Sequence, residues 1–174
     1  THQLRIHLTN GWRWAEQIAT HLHARVYARY NKVWVPDRKK EENSLAGELS
    51  YLSPKQIKRY HLESKIEYIG PLSRFANHPQ MKKPDCIYHT VCLLSGLEPH
   101  RTLLEQELIE RYQDSPERVL IIKGLIGTPN MRITQRQITM IPTLDDNALV
   151  QVLLYATHII ARSGYSTIMD FEAL

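Results

Sequence analysis

Apolar residues Ala15, Ile18, Ala19, Leu22, Val26 and Tyr30 recur at spacings of three and four, the rhythm of one helix face, and predict a helix from Trp14 to Tyr30 with Arg13, Arg25 and Arg29 left to solvent. The run Lys32 to Val35 is short and β-branched and ends at Pro36-Asp37, a turn signal opening onto the charged surface loop Arg38 to Asn43. A second short strand, Ile66 to Ile69, stops at Gly70-Pro71. The polar, proline-containing stretch Asn77 to Pro84 reads as a linker or an exposed crossing loop.

From there the alternation becomes regular. The pattern predicts strand Cys86 to Leu94, helix Arg101 to Tyr112, strand Val119 to Lys123, strand Ile138 to Ile141, helix Asn147 to Ala156, strand His158 to Ala161 and a helix from Ser166. Leu104, Leu108 and Tyr112 carry the first of these helices, and Leu149, Val152, Leu153 and Ala156 the second, with Asp145 or Asp146 as its N-cap. Short strands alternating with helices of about ten residues or more mean an α/β chain with a mainly parallel sheet and crossover helices. Such a sheet holds its ligand at the carboxyl ends of its strands. The chain has no internal repeat and no low-complexity segment.

Composition adds bounds. With 174 residues, 43% apolar and 23% charged, the chain has the makeup of an ordinary globular protein with one good core or two small ones. No run approaches the roughly 20 apolar residues that cross a bilayer, and no signal-peptide pattern opens the chain, so the expectation is a cytoplasmic protein. Cys86 and Cys92 fall on one predicted strand, too far apart to bridge, which fits a reducing compartment. Thr1 opens on a strand-like run, THQLRIHL, and FEAL stops without a helix terminator, the signature of a piece of a longer chain. Charge is uneven: residues 1–72 hold 12 Lys and Arg against 7 Asp and Glu, and residues 73–174 hold 10 against 11, which together make the net +4. A basic first part suits nucleic acid, anionic lipid or a phosphorylated ligand, and charge does not choose among them.

The sharpest chemical signal is a strand followed by Arg162-Ser163-Gly164 and then a helix. A small-residue turn lets a ligand approach the backbone, and the first helical turn offers unpaired N–H groups and partial positive charge suited to phosphate. Ser163, Ser166 and Thr167 add hydroxyls, and Asp170, one turn on, could take a ribose. The alternative is an ordinary strand-to-helix turn, since neither a P-loop nor a GxGxxG fingerprint is present. Ser95-Gly96, in Leu94-Ser95-Gly96-Leu97-Glu98-Pro99, occupies an equivalent place after another strand, and two such turns converging on one crevice would say more than either alone. Arg74 stands where the two parts of the chain join. Nine histidines show no metal-ligand spacing, and no GxSxG nucleophile motif exists, so neither a metal nor a serine-hydrolase mechanism is expected.

The series THQL, NKVWVPD, LAGELSY, IEYIGPLSRF, LLSGLEPHR and LDDNALVQVLLYATHIIARSGYSTIMD closely resembles the bacterial glycosyltransferase-family-28-like proteins of the GT-B fold. The resemblance spans nearly the whole chain and is most specific in IARSGYSTIMD. It implies two Rossmann-like domains, with residues 1–72 the end of the amino-terminal, acceptor-side domain and residues 73–174 most of the donor domain. It further implies a UDP-sugar donor, with a hexose or N-acetylhexosamine passed by an inverting, cofactor-free and metal-independent reaction. Acceptors in this family include lipid-linked ones, so the basic first part would approach the inner face of the membrane; no nucleic acid partner is implied.

Position by position, the resemblance assigns Arg162, Ser163, Gly164, Ser166 and Thr167 to the donor diphosphate. Asp170 falls where the family often has a ribose-binding Glu. Ser95 and Gly96 match its Gly-rich donor loop, though Leu94 stands in place of a second adjacent Gly. Arg74 matches an Arg that meets the donor phosphate, Leu144 falls where main-chain groups read uracil, and His2 and Gln3 match an acceptor-side motif. The family's other Gly-rich loop and its usual base would precede Thr1. Two readings compete: a non-catalytic sugar-nucleotide or partner-binding module, and a basic nucleic-acid-binding domain using Arg13, Arg25 and Arg29 beside Tyr27 and Tyr30.

Overall fold

The computed structural model of the chain describes residues 3–7, 12–39, 43–77, 82–129 and 131–174. They form two compact units, Thr1–Ser73 and Arg74–Leu174. The first contains α1 (Arg13–Tyr27), β1 (Val33–Val35), a 3-10 helix (Gly47–Ser50), α2 (Pro54–Arg59) and β2 (Ile66–Tyr68). The second contains β3 (Thr90–Leu93), α3 (His100–Tyr112), β4 (Val119–Ile122), β5 (Ile133–Gln135), β6 (Ile138–Ile141), α4 (Asp146–Leu154), β7 (His158–Ala161) and α5 (Tyr165–Glu172). The result is a mixed α/β protein whose larger sheet is mostly parallel, compatible with a Rossmann-like fold. Among the described residues no helix is long and apolar enough to cross a membrane.

In the second unit the sheet order is β5-β6-β4-β3-β7, parallel throughout except for the antiparallel β5–β6 pair. β4 and β6 are buried at every position, as parallel strands covered on both faces must be. Alternation along β4 divides the core. Leu120 and Ile122 pack with Phe75, Val91, Leu149 and Leu153 on the α4 face, while Val119 and Ile121 pack with Cys92, Leu108 and Met140 on the α3 face.

Several boundaries differ from the pattern-based expectation. The strand expected from Cys86 begins only at Thr90, so Cys86 precedes it; both cysteines are free thiols. β5 has no apolar alternation to announce it, because Ile133, Thr134 and Gln135 are all exposed on a sheet edge. It exists because Arg136, with φ 52°, turns the chain back so that Gln135 pairs with Ile138. The division into compact units falls after Ser73, ahead of the proline-containing stretch, of which residues 78–81 lie outside the described residues. The described part of the opening run, residues 3–7, is irregular rather than strand; Leu4 is fully buried and its N–H donates to the Leu49 carbonyl at 2.8 Å.

The first unit is built on a parallel β1–β2 pair in the register Val33↔Ile66 to Val35↔Tyr68. α1 covers it through Ala24, which joins Leu4, Val33, Val35, Leu52 and Leu62 in one cluster. The buried face is Glu16, Thr20 and Ala24, so the apolar stripe that identified this helix points outward: Ile18 is 52% and Leu22 54% exposed. Small Ala24 permits close approach, and the polar groups beside it are satisfied. Thr20 Oγ1 accepts from the Ile6 N–H at 3.1 Å, and Glu16 lies 3.1 Å from His7 Nδ1. α2 was missed by apolar spacing because it buries no residue, yet Ser53 and Gln56 form a capping box around Pro54 that the sequence SPKQ spells out.

Asp37, fully buried after β1, holds the following loop. Its Oδ1 accepts from the Arg38 and Leu45 amides at 2.7 and 2.9 Å, and its Oδ2 from Ser44 and Ser50 hydroxyls at 2.6 Å and the Ala46 amide at 3.2 Å. Its carbonyl accepts from Gly70 N–H at 3.2 Å, tying the exits of both strands together. Burial raises the carboxyl's proton affinity, but the hydroxyls of Ser44 and Ser50 and the amides of Leu45 and Arg38 outweigh it and hold the group far below the usual carboxylate range. Asp37→Asn presents a donor to donors and is expected to cost about 2–3 kcal/mol in urea unfolding. The folded value lies below the unfolded one of about 3.9. Asp37's contribution is therefore complete above that pH and shrinks as pH falls through acid, whereas the Asn variant lacks this part of the acid sensitivity. Unfolding midpoints from pH 7 to pH 3 check both.

Candidate functional site

Chain order and spatial order disagree at one place in the larger sheet. β3, β4 and β6 step outward in one direction, after which the chain crosses back and adds β7 on the other side of β3. The reversal lies between β3 and β7, the switch point where two loops leave adjacent strands in opposite directions and leave a crevice. Their register ends with Leu93 opposite Ala161, so Ser95-Gly96 and Arg162-Ser163-Gly164 leave the sheet at the same level.

The two turns touch. Arg162 Nη1 donates to the Ser95 carbonyl at 3.2 Å, and the guanidinium lies against Gly96. Gly96 has φ +97°, a conformation that suits glycine, and a Cβ there would run into Arg162. On the other side of β3, Gly124 at φ +68° lets the end of β4 pass close to the Leu94 carbonyl, 2.5 Å from where a Cβ would sit. Both glycines keep the carboxyl edge compact.

α5 starts from Gly164 with no side-chain cap, in contrast to α4, where Asp145 accepts from the Ala148 N–H at 2.9 Å. The first turn of α5, with Ser166 and Thr167, therefore begins without a side-chain cap next to an exposed Ser163-Gly164. Ser166 is exposed and Thr167 half-buried. Gly164 itself has an ordinary backbone, and a Cβ would meet only Thr167 Oγ1 at 3.5 Å. Its lack of a side chain clears space rather than permitting the turn.

Arg74 joins the first residue of α4 to the later half of α5. Its Nε donates to Asp170 Oδ2 at 3.1 Å, its Nη1 to Asp146 Oδ1 at 3.0 Å, and its guanidinium stands 4.7 Å from the Phe75 ring centroid. Asp170 is thus an ion-pair partner, with its side chain 14% exposed, and any ribose contact has to share it with Arg74. Leu144 is half-buried against the core just before α4, with its carbonyl accepting from the Thr143 hydroxyl at 3.4 Å. Apart from Arg74, the residues that the resemblance would assign to a donor thus follow the carboxyl ends of β3, β6 and β7. Gln3 belongs to the first unit, where its carbonyl accepts from Tyr27 Oη at 2.7 Å; His2 lies outside the described residues.

Two features of the site go beyond the sequence expectations. The pairing of Asp146 with Arg74 is one: of the two cap candidates Asp145 caps α4, which leaves Asp146 to meet Arg74. The other is a charged network behind the Ser95 turn: Arg101 pairs with Glu98 and, at 3.5 Å, Glu105, and Lys123 Nζ lies 2.7 Å from Glu105. The hydroxyl of Thr102, donating at 2.8 Å, and then Arg101 keep the exposed Glu98 carboxyl below its ordinary range. The i, i+3 and i, i+4 spacing of Glu98, Arg101 and Glu105 carries the signal. No protein-family model, curated protein or solved structure gives a significant match to the chain.

The contrast between the two turn glycines is measurable. Gly96→Ala is expected to lower stability by about 2 kcal/mol, because φ and contact both oppose a side chain. Gly164→Ala should cost under about 1 kcal/mol. Urea unfolding of both variants tests this, and equal losses would contradict the geometry.

Proposed function

We propose that the chain is the donor-binding part of a nucleotide-sugar glycosyltransferase of the family-28-like GT-B kind, taking a UDP-sugar at the β3–β7 switch point. Residues 73–174 would be the donor domain and residues 1–72 part of the acceptor-side domain. The observation that carries this reading is the contact of Arg162 with the Ser95 carbonyl, which joins the two turns beside an uncapped α5. A diphosphate there would accept from the first-turn amides and from Ser163, Ser166 and Thr167, with the helix dipole favouring its charge.

In the transfer, an acceptor hydroxyl attacks the anomeric carbon from the face opposite the diphosphate. The carbon–oxygen bond to the diphosphate breaks, UDP leaves with the electron pair, and the hydroxyl proton passes to a base. What this chain contributes is stabilisation of the departing diphosphate. Arg74 is half exposed and so is its partner Asp146, so a phosphate can compete with Asp146 for it at modest cost, since exposed ion pairs are worth about 1 kcal/mol or less. Its pairing with Asp170 would then couple phosphate and ribose recognition.

Titration with UDP should shift the amide resonances of Ser95, Gly96 and residues 162–170. Asp170→Ala and Arg74→Ala should each weaken UDP binding by about tenfold, the loss of roughly 1.4 kcal/mol. Absence of UDP binding by the folded chain would sink the donor-site reading. Binding without release of UDP from UDP-sugars by a complete two-domain protein would leave a sugar-nucleotide-binding module in place of a transferase.

A further inference from the structure

The first unit contains a cavity of about 850 Å³ between α1, α2 and the segment around Arg5. Its size falls within the range of small-molecule sites. Four cations line it, Arg5, Arg13, Lys55 and Arg59, against two carboxylates, Glu16 and Glu48. Both carboxylates already have cationic or titratable neighbours inside the cavity: Glu48 pairs with Arg5 at 2.8 Å, and Glu16 with His7 at 3.1 Å. Arg13, Lys55 and Arg59 have no carboxylate partner among the described residues.

Four cations against two carboxylates leave the concavity with an excess of positive charge, and an anion relieves the repulsion among the cations. The backbone adds to the same field. α1 runs for 15 residues, starts at Arg13 on the cavity wall, and has no side-chain cap at Trp12, so its positive end is directed to this place. The location also fits the topology. α1 and α2 precede the parallel strands β1 and β2, so their starts lie toward the carboxyl-end edge where parallel α/β units hold ligands.

We propose that this cavity is an anion site of the first unit, taking a small ligand through a phosphate or diphosphate group held by Arg13, Lys55 and Arg59. The site is separate from the β3–β7 turns and does not rest on the glycosyl-transfer reading. A nucleic acid backbone is the less suitable anion: Arg25 in α1 and Arg29 just after it do not line the cavity, so the charge converges on a hollow rather than running along a strip.

The test uses the full chain and inorganic pyrophosphate at constant ionic strength, followed by amide resonances. Saturable shifts at Gln17, Thr20 and Gln56 are expected. The Arg13→Gln/Arg59→Gln double variant should weaken pyrophosphate binding at least tenfold, and Lys55→Gln alone about threefold. These side chains lie on the wall of the hollow rather than in the core, and an unchanged urea midpoint shows that each variant is folded. UDP-induced shifts at Ser95 and Ser163 should persist in the double variant, so failure of this site and failure of the donor site are read independently. Lack of saturable shifts in α1 and α2 overturns the proposal, as does binding unaffected by either variant. An oligonucleotide that binds more tightly than pyrophosphate and depends on Arg25 and Arg29 likewise overturns it.

Discussion

β7 hydrogen-bonds along the side of β3 away from β4, from Thr90↔His158 to Leu93↔Ala161, and the placement of every group at the carboxyl edge of the second unit follows from that register. Had β7 joined the far side of β6, the Arg162 turn would have opened three strands away from Ser95. Instead both turns leave at one level, and a single arginine spans them. Strand spacing of about 4.8 Å sets the scale of this contact: it is short enough for one side chain to cross.

The two units reach order by different means. In the second, burial dominates: β4 and β6 are covered on both faces, and the helices contribute ordinary apolar contacts from Leu108 on one side and Leu149 and Leu153 on the other. In the first, a smaller cluster around Leu4, Ala24 and Leu62 is supplemented by a buried carboxylate with five donors. Small cores bury too little surface to hold long connections by apolar contact alone, and Asp37 ties Arg38, Ser44, Leu45, Ala46 and Ser50 together by hydrogen bonding instead. The cationic cavity lies in this same unit. Its charged wall is tolerated because Arg13, Lys55 and Arg59 line a solvent-facing hollow and stay outside the apolar cluster.

Arg74 and Asp170 illustrate how a site residue changes meaning once its neighbours are known. In the sequence they are 96 positions apart, one a junction cation and the other a helical acid; in the fold they are a pair, with Asp146 completing it. A separation of that length is invisible to periodicity. The Glu98, Arg101 and Glu105 network is the opposite case: its three members lie within eight residues at and just before the start of α3, and only Lys123 arrives from elsewhere.

Local chemistry by itself determined the strand–helix alternation after Thr90, an aspartate cap of α4 at Asp145 or Asp146, the capping box of α2 and the presence of a small-residue turn before α5, because each depends on residues within one or two turns of one another. The outward-facing stripe of α1 shows where that reach stops. Periodicity finds an amphipathic helix, but which side is buried depends on what it meets, and here Ala24, Thr20 and Glu16 met partners while Ile18 and Leu22 did not. Only tertiary structure decided that the Ser95 and Arg162 turns adjoin, that Asp170 is held by Arg74, and that Arg13, Lys55 and Arg59 share one hollow. Those are properties of strand order and helix packing, and they arise between segments that the chain keeps far apart.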